Sequence, residues 1–190
     1  MILPNLPPLV DSILAAGRRF AFTMPSDHDV GRLLRTLAAA KPGGKFLELG
    51  TGLGLSLAWI RDGMDAGARV VSIEQDPQYV AFAAECFGCD DRVRVVCADG
   101  AAWLDDYVGD GFDLIFADTW PGKYHHLEPA LNLLKAGGLY VVDDMLPQEN
   151  WPEGHAAKAT ALLERLAGHP DLVSCRMDWS TGVVLAVRRG

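Results

Sequence analysis

The sequence has no apolar run that reaches the roughly 18 residues needed to cross a membrane as a helix. Residues 1–17 are apolar, but they lack a basic start and include three prolines and Asp11, which is atypical of a secretory signal peptide. These absences predict a protein that neither spans a membrane nor is exported. We therefore expect a cytoplasmic location and no membrane partner.

Clustered positive charge is also lacking. The formal net charge is -8 and the isoelectric point is near 5.0. The densest basic sites are Arg18-Arg19 and Arg188-Arg189, and they do not form a patch. Because an acidic surface repels phosphates, we expect no nucleic acid partner. The composition favours a small-molecule partner instead.

Cysteine is sparse, with four residues in the chain. Cys86 and Cys89 have the spacing of a zinc knuckle, but Cys97 and Cys175 do not supply the second pair that a structural zinc site usually needs. A redox role for the Cys86–Cys89 pair remains an alternative. We favour the simpler interpretation that all four are thiols in a reducing cytosol.

Short apolar runs alternate with helical patterns along the chain. The runs are continuous, as in strands of a parallel sheet covered on both faces, and they predict strands at residues 45–50, 69–74, 92–98, 112–118 and 138–144. The helical patterns between them cover residues 55–64, 77–87, 100–108 and 123–136, the last closed by Gly137-Gly138. Further helices are predicted at 27–40, capped by Ser26 or Asp27, and at 154–167.

Five successive strand–helix units predict a doubly wound α/β domain. After them, residues 172–179 and 182–189 flank Ser180-Thr181 and predict an antiparallel hairpin. The chain contains no internal repeats, low-complexity segments or linkers. We expect one domain over residues 1–190, with an N-terminal helical segment at 1–42 and the sheet core at 43–190.

A glycine-rich turn, FLELGTGLGLS at residues 46–56, joins the first predicted strand to a helix. Gly50, Gly52 and Gly54 allow a sharp turn and close approach to a ligand, and the helix N-terminus offers free N–H groups. Glu48 lies inside the strand, and Glu74 ends the second strand, where an acid accepts hydrogen bonds from ribose hydroxyls. Together these features predict an adenosine-containing ligand, whereas the glycines alone would also fit a tight turn without ligand.

The G-x-G-x-G spacing with an upstream acid resembles motif I of class I S-adenosylmethionine-dependent methyltransferases, whereas nicotinamide enzymes favour G-x-G-x-x-G. The resemblance runs from about Phe46 to Val187. It implies a Rossmann-like, seven-stranded sheet in the order 3-2-1-4-5-7-6, with the last strand antiparallel and helices on both faces. A cationic methionine tail also fits the acidic Glu48 better than a pyrophosphate would.

The resemblance implies cofactor contacts residue by residue. IEQDPQYV resembles the second motif of the superfamily, with Glu74 in the ribose-binding position, and ADGAAWL resembles the third, in which Asp99 would meet the adenine amino group. The residues implied to bind S-adenosylmethionine are Glu48, Gly50, Thr51, Gly52, Ser56, Glu74, Gln75, Asp99, Gly100, Ala101, Asp118 and Trp120.

Within the superfamily, the chain is most similar to the catechol and caffeoyl-CoA O-methyltransferase group. Ser56 takes the position of the serine that binds the cofactor carboxylate there, and the segment FTMPSDHD, with Met24 and Ser26, resembles the one that closes over the cofactor. Trp120 is expected to pack on the cofactor, with core packing or a substrate-facing wall as alternatives. Bacterial members are commonly dimers, which is consistent with a homodimer.

Acidic residues follow two neighbouring predicted strands. Asp118 ends the fourth and Asp143-Asp144 the fifth, at the edge where open α/β sheets bind ligands. The similar group holds a divalent metal with an aspartate and an Asp-Asn pair at these places, so the resemblance implies Mg²⁺ or another divalent cation at Asp118, Asp143 and Asp144. The alternative is a metal-free set of strand-end acids, whose repulsion would raise at least one pKa.

In the same group, a lysine three residues after the first aspartate acts as general base. Pro121 stands there in this chain, which leaves Lys123 as the candidate base beside Asp118. One alternative is that Lys123 is a solvated residue on a first helical turn. Another is that His125 or His126 is the base.

These features predict S-adenosylmethionine-dependent O-methylation of a small molecule. Alignment of an oxygen nucleophile with the methyl carbon would supply much of the acceleration, and a metal would lower the pKa of the hydroxyl group. One alternative is N-methyl or aminopropyl transfer by the same fold, in which the acidic cluster would hold a cationic substrate. A nicotinamide-dependent oxidoreductase and a non-catalytic cofactor-binding protein are two further interpretations of the same features.

Overall fold

A seven-stranded sheet organises the chain in a computed structural model that describes residues 6–148 and 151–190. The strands are β1 Lys45–Leu49, β2 Arg69–Glu74, β3 Val93–Cys97, β4 Phe112–Ala117, β5 Leu134–Val142, β6 Leu172–Met177 and β7 Val183–Arg188. Their order in the sheet is β3-β2-β1-β4-β5-β7-β6, which confirms the expected order. The first five strands pair in parallel, as their continuous apolar runs predicted.

Helices cover both faces of the sheet, as expected. They are α1 Val10–Arg19, α2 His28–Ala39, α3 Leu55–Gly63, α4 Pro77–Phe87, α5 Gly100–Asp106, α6 Leu127–Asn132 and α7 His155–Gly168. One apolar cluster joins one face to α1, α2, α3 and α4, and a second joins the other face to α5, α6 and α7. The cap of α2 is Asp27, whose side chain accepts a hydrogen bond from the N–H of Asp29 over 2.7 Å.

The predicted hairpin closes the sheet. Strand β7 runs antiparallel to both of its neighbours, so that Ala186 lies opposite Tyr140 of β5 and Ser174 of β6. Ser180 and Gly182 in the turn have positive φ angles of 55° and 85°. This mixed edge is the feature that the resemblance implied for the last strand.

The predicted helix over 123–136 is wrong in extent, because α6 occupies only Leu127–Asn132. Gly122 and His126 have left-handed φ angles of 84° and 54°, which interrupt an α-helix before it reaches residue 127. The predicted strand at 138–144 starts earlier, at Leu134, and has an irregular register opposite Phe112. Gly137, with a φ of 71°, therefore lies in an irregular part of β5 and does not end a helix.

In the described part of the chain, no helix is long and apolar enough to cross a membrane. The four cysteines are free thiols, and three of them are exposed. One edge of the sheet carries Gly50, Glu74, Asp118 and Asp144, which lie at or just beyond the carboxyl ends of β1, β2, β4 and β5. The fold therefore gathers the predicted site residues of the first, second, fourth and fifth strands.

Candidate functional site

A cavity of about 820 Å³ opens at this edge of the sheet. One end is formed by the glycine loop, residues 50–53, together with Glu74 and Gln75. The other end, which we call the aromatic end, is formed by Trp120, Tyr124, Trp151 and His155. Asp118, Lys123 and Asp144 also line the cavity, as do the predicted residues Met24, Ser26, Thr51 and Ser56. Most of the predicted site is thus assembled around one space.

The glycine loop depends on glycine at Gly50 and Gly52. Their φ angles are 98° and 52°, a region that other residues adopt only with strain. A Cβ atom on Gly52 would lie 2.8 Å from the ring of Phe22, and one on Gly50 would lie 3.0 Å from the carbonyl oxygen of Asp118. The loop therefore packs closely against both the segment before α2 and the end of β4.

Glu74 is held in place by three backbone N–H groups. Its Oε2 accepts from Gly52 over 2.8 Å, and its Oε1 accepts from Gln75 over 2.9 Å and from Asp76 over 3.0 Å. The carboxylate therefore ties the glycine loop to the end of β2 while it lines the cavity. This arrangement fits an acid that accepts hydrogen bonds from ribose hydroxyls.

Glu48 does not line the cavity, which corrects the expectation that it meets the cofactor directly. It lies opposite Ser72 in the β1–β2 pair, is fully buried, and accepts a hydrogen bond from the Ser72 hydroxyl group. Burial raises the pKa of Glu48 to about 7, against hydrogen bonds from Ser56 and Ser72 that lower it. Glu48 thus contacts Ser56, which follows the glycine loop, and Ser72 of β2.

Asp99, Gly100 and Ala101 also lie outside the cavity lining that the described residues form. The Asp99 carboxylate caps α5, where it accepts hydrogen bonds from Ala101 over 3.0 Å and Ala102 over 2.9 Å. Gly100 faces the ring of Pro121. The third predicted motif is therefore a helix cap beside the cavity, because its acid satisfies the first N–H groups of α5.

Asp118 lines the cavity and carries one oxygen without a hydrogen-bond partner among the described residues. Its Oδ2 accepts a hydrogen bond from the hydroxyl group of Ser26 over 3.1 Å, whereas its Oδ1 is buried with no hydrogen-bond partner among the described residues. Burial and the charge of Asp143 raise the pKa of Asp118 well above its usual range, and the Lys123 ammonium opposes this shift. Asp118 thus lines the cavity with a carboxyl group of which one oxygen has no hydrogen-bond partner among the described residues.

Asp143 faces away from the cavity. Its carboxylate accepts hydrogen bonds from the hydroxyl group of Thr181 and, over 2.7 Å, from the N–H of Asp144. Burial raises the pKa of Asp143 to about 6, and the charge of Asp144 adds to this effect. Its side chain is thus committed to the hairpin turn and to its own backbone.

Lys123 is buried, with 4% of its surface exposed. Its Nζ donates a hydrogen bond to the carbonyl oxygen of Asp143 over 2.7 Å, and its side chain lines the cavity. The alternative of a solvated lysine on a first helical turn is therefore wrong, because the residue belongs to the turn before α6. Its ammonium group lies in the same wall as Asp118 and Asp144.

These carboxylates do not fit the predicted metal site. Across residues 6–148 and 151–190, no three His, Cys, Asp or Glu side chains are grouped so that they could hold a metal ion. The physical reason is that the Asp143 carboxylate is occupied by other donors while Lys123 places a positive charge in the wall. A divalent cation would therefore lose one of the three oxygen ligands implied for it and would face a like charge.

His125 and His126 are not in the cavity lining. Their Nδ1 atoms lie 2.8 Å apart, and Nε2 of His126 is 3.3 Å from the Asp105 carboxylate at the surface. The sequence reasoning missed a different histidine, His155 at the start of α7, whose Nε2 lies 2.8 Å from the hydroxyl oxygen of Tyr124. One feature of the sequence could have indicated His155. It lies four residues after Trp151, at the beginning of a helical pattern.

Comparisons with known proteins identify the family of this chain. The profile of the O-methyltransferase family matches residues 14–189. A catechol O-methyltransferase from Mycobacterium tuberculosis is 30% identical over 152 residues, which cover 75% of this chain and 68% of that protein.

Two solved structures share the fold. The O-methyltransferase from Bacillus cereus, in complex with S-adenosylhomocysteine, superposes with a TM-score of 0.86 at 20% identity, covering 99% of this chain and 94% of that one. The O-methyltransferase TomG from Streptomyces achromogenes, in complex with S-adenosylmethionine, gives a TM-score of 0.86 at 24% identity and covers 100% of this chain and 93% of its own. With the family match over most of the sequence, the chain belongs to the S-adenosylmethionine-dependent O-methyltransferases.

Proposed function

We propose that the protein methylates a hydroxyl group of a small planar molecule, with catechol as the first acceptor to test. The observation that carries the proposal is a cavity of about 820 Å³ that is lined both by the glycine loop and by the aromatic end. This volume lies in the range of small-molecule sites. The name of the relative from Mycobacterium tuberculosis supports a catechol as the acceptor.

The glycine-loop end is suited to hold S-adenosylmethionine. Glu74 would accept hydrogen bonds from the ribose, and Ser56 and Thr51 line the same end of the cavity. When bound there, the cofactor supplies an electrophilic methyl group. The chain contributes a preformed loop, whose glycines and Glu74 are already fixed by backbone hydrogen bonds.

The aromatic end is suited to hold the ring of the acceptor. Trp120 and Tyr124 pack edge to face with ring centroids 5.8 Å apart, and both line the cavity. Aromatic walls of this kind contact planar rings over a large area. Asp118 lines the same cavity, and its carboxyl group would accept a hydrogen bond from an acceptor hydroxyl.

Lys123 supports an oxygen nucleophile in this proposal. Its ammonium group would stabilise the negative charge that develops on the acceptor oxygen, from a position fixed by Asp143. The same positive charge disfavours the alternative of a cationic amine acceptor. Because the carboxylates do not fit a metal, we propose that transfer proceeds without a divalent cation.

The proposal is tested by incubating the protein with S-adenosylmethionine and catechol and identifying the monomethylated product by mass spectrometry. Asp118→Asn should reduce kcat by about 100-fold, the order expected for loss of one positioned polar group. Asp105→Asn, which replaces an exposed acid outside the cavity lining, is the matched control and should leave kcat unchanged. Methylation of amines in place of hydroxyl compounds would contradict the proposal.

A further inference from the structure

Tyr124 and His155 form a hydrogen-bonded pair in the wall of the cavity. The Tyr124 hydroxyl oxygen and Nε2 of His155 are 2.8 Å apart, and the two rings meet edge to face at 4.9 Å. Tyr124 comes from the turn after β4, and His155 is the first residue of α7. Two distant segments of the chain therefore converge on one contact beside Asp118.

Indole rings enclose this pair. The ring of Trp151 lies 4.5 Å from that of His155, and the ring of Trp120 lies 6.2 Å from it. Nδ1 of His155 is buried and has no hydrogen-bond partner among the residues that the structure describes. The imidazole is thus held by packing against the indole rings. Among the described residues, its hydrogen-bond partner is Tyr124, which also lines the cavity.

The charges around the pair keep it in a defined state. Burial, Lys123 and Lys158 lower the pKa of His155, and Asp144 opposes them, so that the imidazole is neutral at neutral pH. Burial raises the pKa of Tyr124 to about 12, with Asp144 and Asp118 adding to the shift. The resting pair is therefore a neutral imidazole bonded to an un-ionised phenol.

Lys123 is poorly placed to accept a proton. Its Nζ donates a hydrogen bond to the carbonyl oxygen of Asp143 over 2.7 Å, so this nitrogen is already engaged as a donor. An ammonium group has no free electron pair, so it acts here as a fixed charge. The role of base needs a group that is neutral at rest and faces the same wall, and His155 meets both conditions.

We propose that His155, reached through the Tyr124 hydroxyl group, takes up the proton of the acceptor hydroxyl during methyl transfer. This inference rests on the proposed function. The acceptor O–H bond breaks as Tyr124 receives the proton on its oxygen, and the proton of Tyr124 itself passes to Nε2 of His155, whose Nδ1 carries the other proton. The acceptor oxygen bonds to the methyl carbon, and the carbon–sulfur bond breaks with its electrons retained by sulfur.

The charge formed on His155 is offset in part by one acidic residue of the wall. Asp144 is the acidic group whose charge favours the imidazolium form, against Lys123 and Lys158. After transfer, the imidazolium returns its proton to solvent. The cycle needs no oxidant, reductant or further reactant.

The first test distinguishes a role of His155 in proton transfer from a purely structural role. His155→Gln retains a hydrogen-bond acceptor for Tyr124 but is not basic, and it should reduce kcat for catechol by about 100-fold while the affinity for S-adenosylhomocysteine stays unchanged. His155→Ala should also reduce kcat by about 100-fold, and added imidazole should restore part of the kcat of this variant. Tyr124→Phe should also be impaired, without rescue by imidazole. His169→Ala, at the other end of α7, is the matched control with unchanged kcat.

An unchanged kcat in His155→Gln, or an equal loss of cofactor affinity, would overturn the inference. So would the failure of imidazole to rescue His155→Ala. If the wild-type protein does not methylate catechol at all, that result counts against the acceptor class in the proposed function. The imidazole and variant results would instead count against His155 alone.

The second test does not depend on methyl transfer. The chromophore 4-nitrocatechol is titrated into the protein with S-adenosylhomocysteine present, and its ionisation is followed by absorbance across pH. The bound ligand should ionise at lower pH in the wild type than in His155→Gln, because only the wild type can take up its proton. Identical ionisation curves would overturn the inference, and no binding of the chromophore would overturn the acceptor class and the inference together.

Discussion

The ammonium group of Lys123 lies 2.7 Å from the carbonyl oxygen of Asp143 and belongs to a wall that also carries Asp118 and Asp144. The residue is buried, so its charge is not balanced by bulk water. The neighbouring carboxylates balance it instead, and it in turn opposes the rise in the pKa of Asp118 and of Asp143. This cation and these acids therefore form one electrostatic unit.

Replacing Lys123 by methionine should destabilise the protein, because the change leaves buried carboxylates without their cation. We expect a loss of about 3 kcal/mol in the free energy of unfolding at alkaline pH. The loss should be smaller in acid, since Asp143, with a pKa of about 6, is then protonated. Urea denaturation at alkaline and at acid pH measures the loss in the free energy of unfolding. Lys41→Met is the control, because the exposed Lys41 makes a similar bond to the carbonyl oxygen of Gly137 over 2.8 Å.

The same electrostatic unit determines the response to metal ions. We expect no heat of binding when Mg²⁺ or Ca²⁺ is titrated into the wild-type protein, and methyl transfer that is unchanged by EDTA. In Lys123→Met the like charge is removed, but the Asp143 carboxylate keeps its bonds to Thr181 and to the N–H of Asp144, so Ca²⁺ should still show no stoichiometric binding. Stoichiometric Mg²⁺ binding to the wild type that is lost in Asp118→Asn would instead restore the metal site implied by the resemblance.

The glycine loop should tolerate no side chain at Gly52. A Cβ atom there would meet the ring of Phe22 at 2.8 Å, in addition to the strain of a φ angle of 52°. Gly52→Ala should therefore weaken the binding of S-adenosylhomocysteine, measured by calorimetry, by about tenfold or more. Gly43→Ala is the matched control, because Gly43 has a φ of 66° with nothing within 4 Å.

Both substitutions carry a similar backbone strain, so a similar loss of unfolding free energy is expected for each. A difference in cofactor affinity then reports the contact with Phe22 and the shape of the loop. Equal affinities in the two variants would show that the loop can move to accept a methyl group.

Glu48 should make stability depend on pH. Its pKa is about 7 in the folded protein against an ordinary value of 4.5, so between these values the folded state binds a proton that the unfolded state does not. The free energy of unfolding should therefore fall as pH rises from 4.5 to about 7, by about 3 kcal/mol. Glu48→Gln should remove this part of the slope in urea titrations. Glu85→Gln, an exposed acid on α4, should retain it, and equal slopes in the two variants would refute the assignment.

The sequence was sufficient to predict the parts of the molecule that depend on local pattern. Continuous apolar runs identified the parallel strands, and the glycine spacing identified the loop that opens onto the cavity. Glu74 was predicted to bind the ribose; the structure places it in the cavity lining, where its carboxylate accepts a hydrogen bond from Gly52 of the loop, and the ribose contact stays a prediction.

Other features depend on contacts between distant residues and could not be read from local pattern. The side chain of Glu48 is buried within the sheet because the register of the β1–β2 pair sets it opposite Ser72. Lys123 is buried because the left-handed Gly122 and His126 shape a turn where the pattern indicated a helix. Tyr124 and His155 meet only after α7 has packed on the sheet.

The position of β7 has a consequence for biosynthesis. This strand follows all the others in the chain, yet it is inserted between β5 and β6. The turn before it holds the wall of the cavity, since Thr181 binds the Asp143 carboxylate and the carbonyl oxygen of Gly182 accepts from Met145 over 2.9 Å. A nascent chain of residues 1–170 therefore already contains Trp120, Lys123, Tyr124, Asp144, Trp151 and His155 of the cavity lining, but it lacks the turn that binds Asp143 and Met145. This part of the wall takes its final hydrogen bonds only when the last strand has been made and has paired with β5.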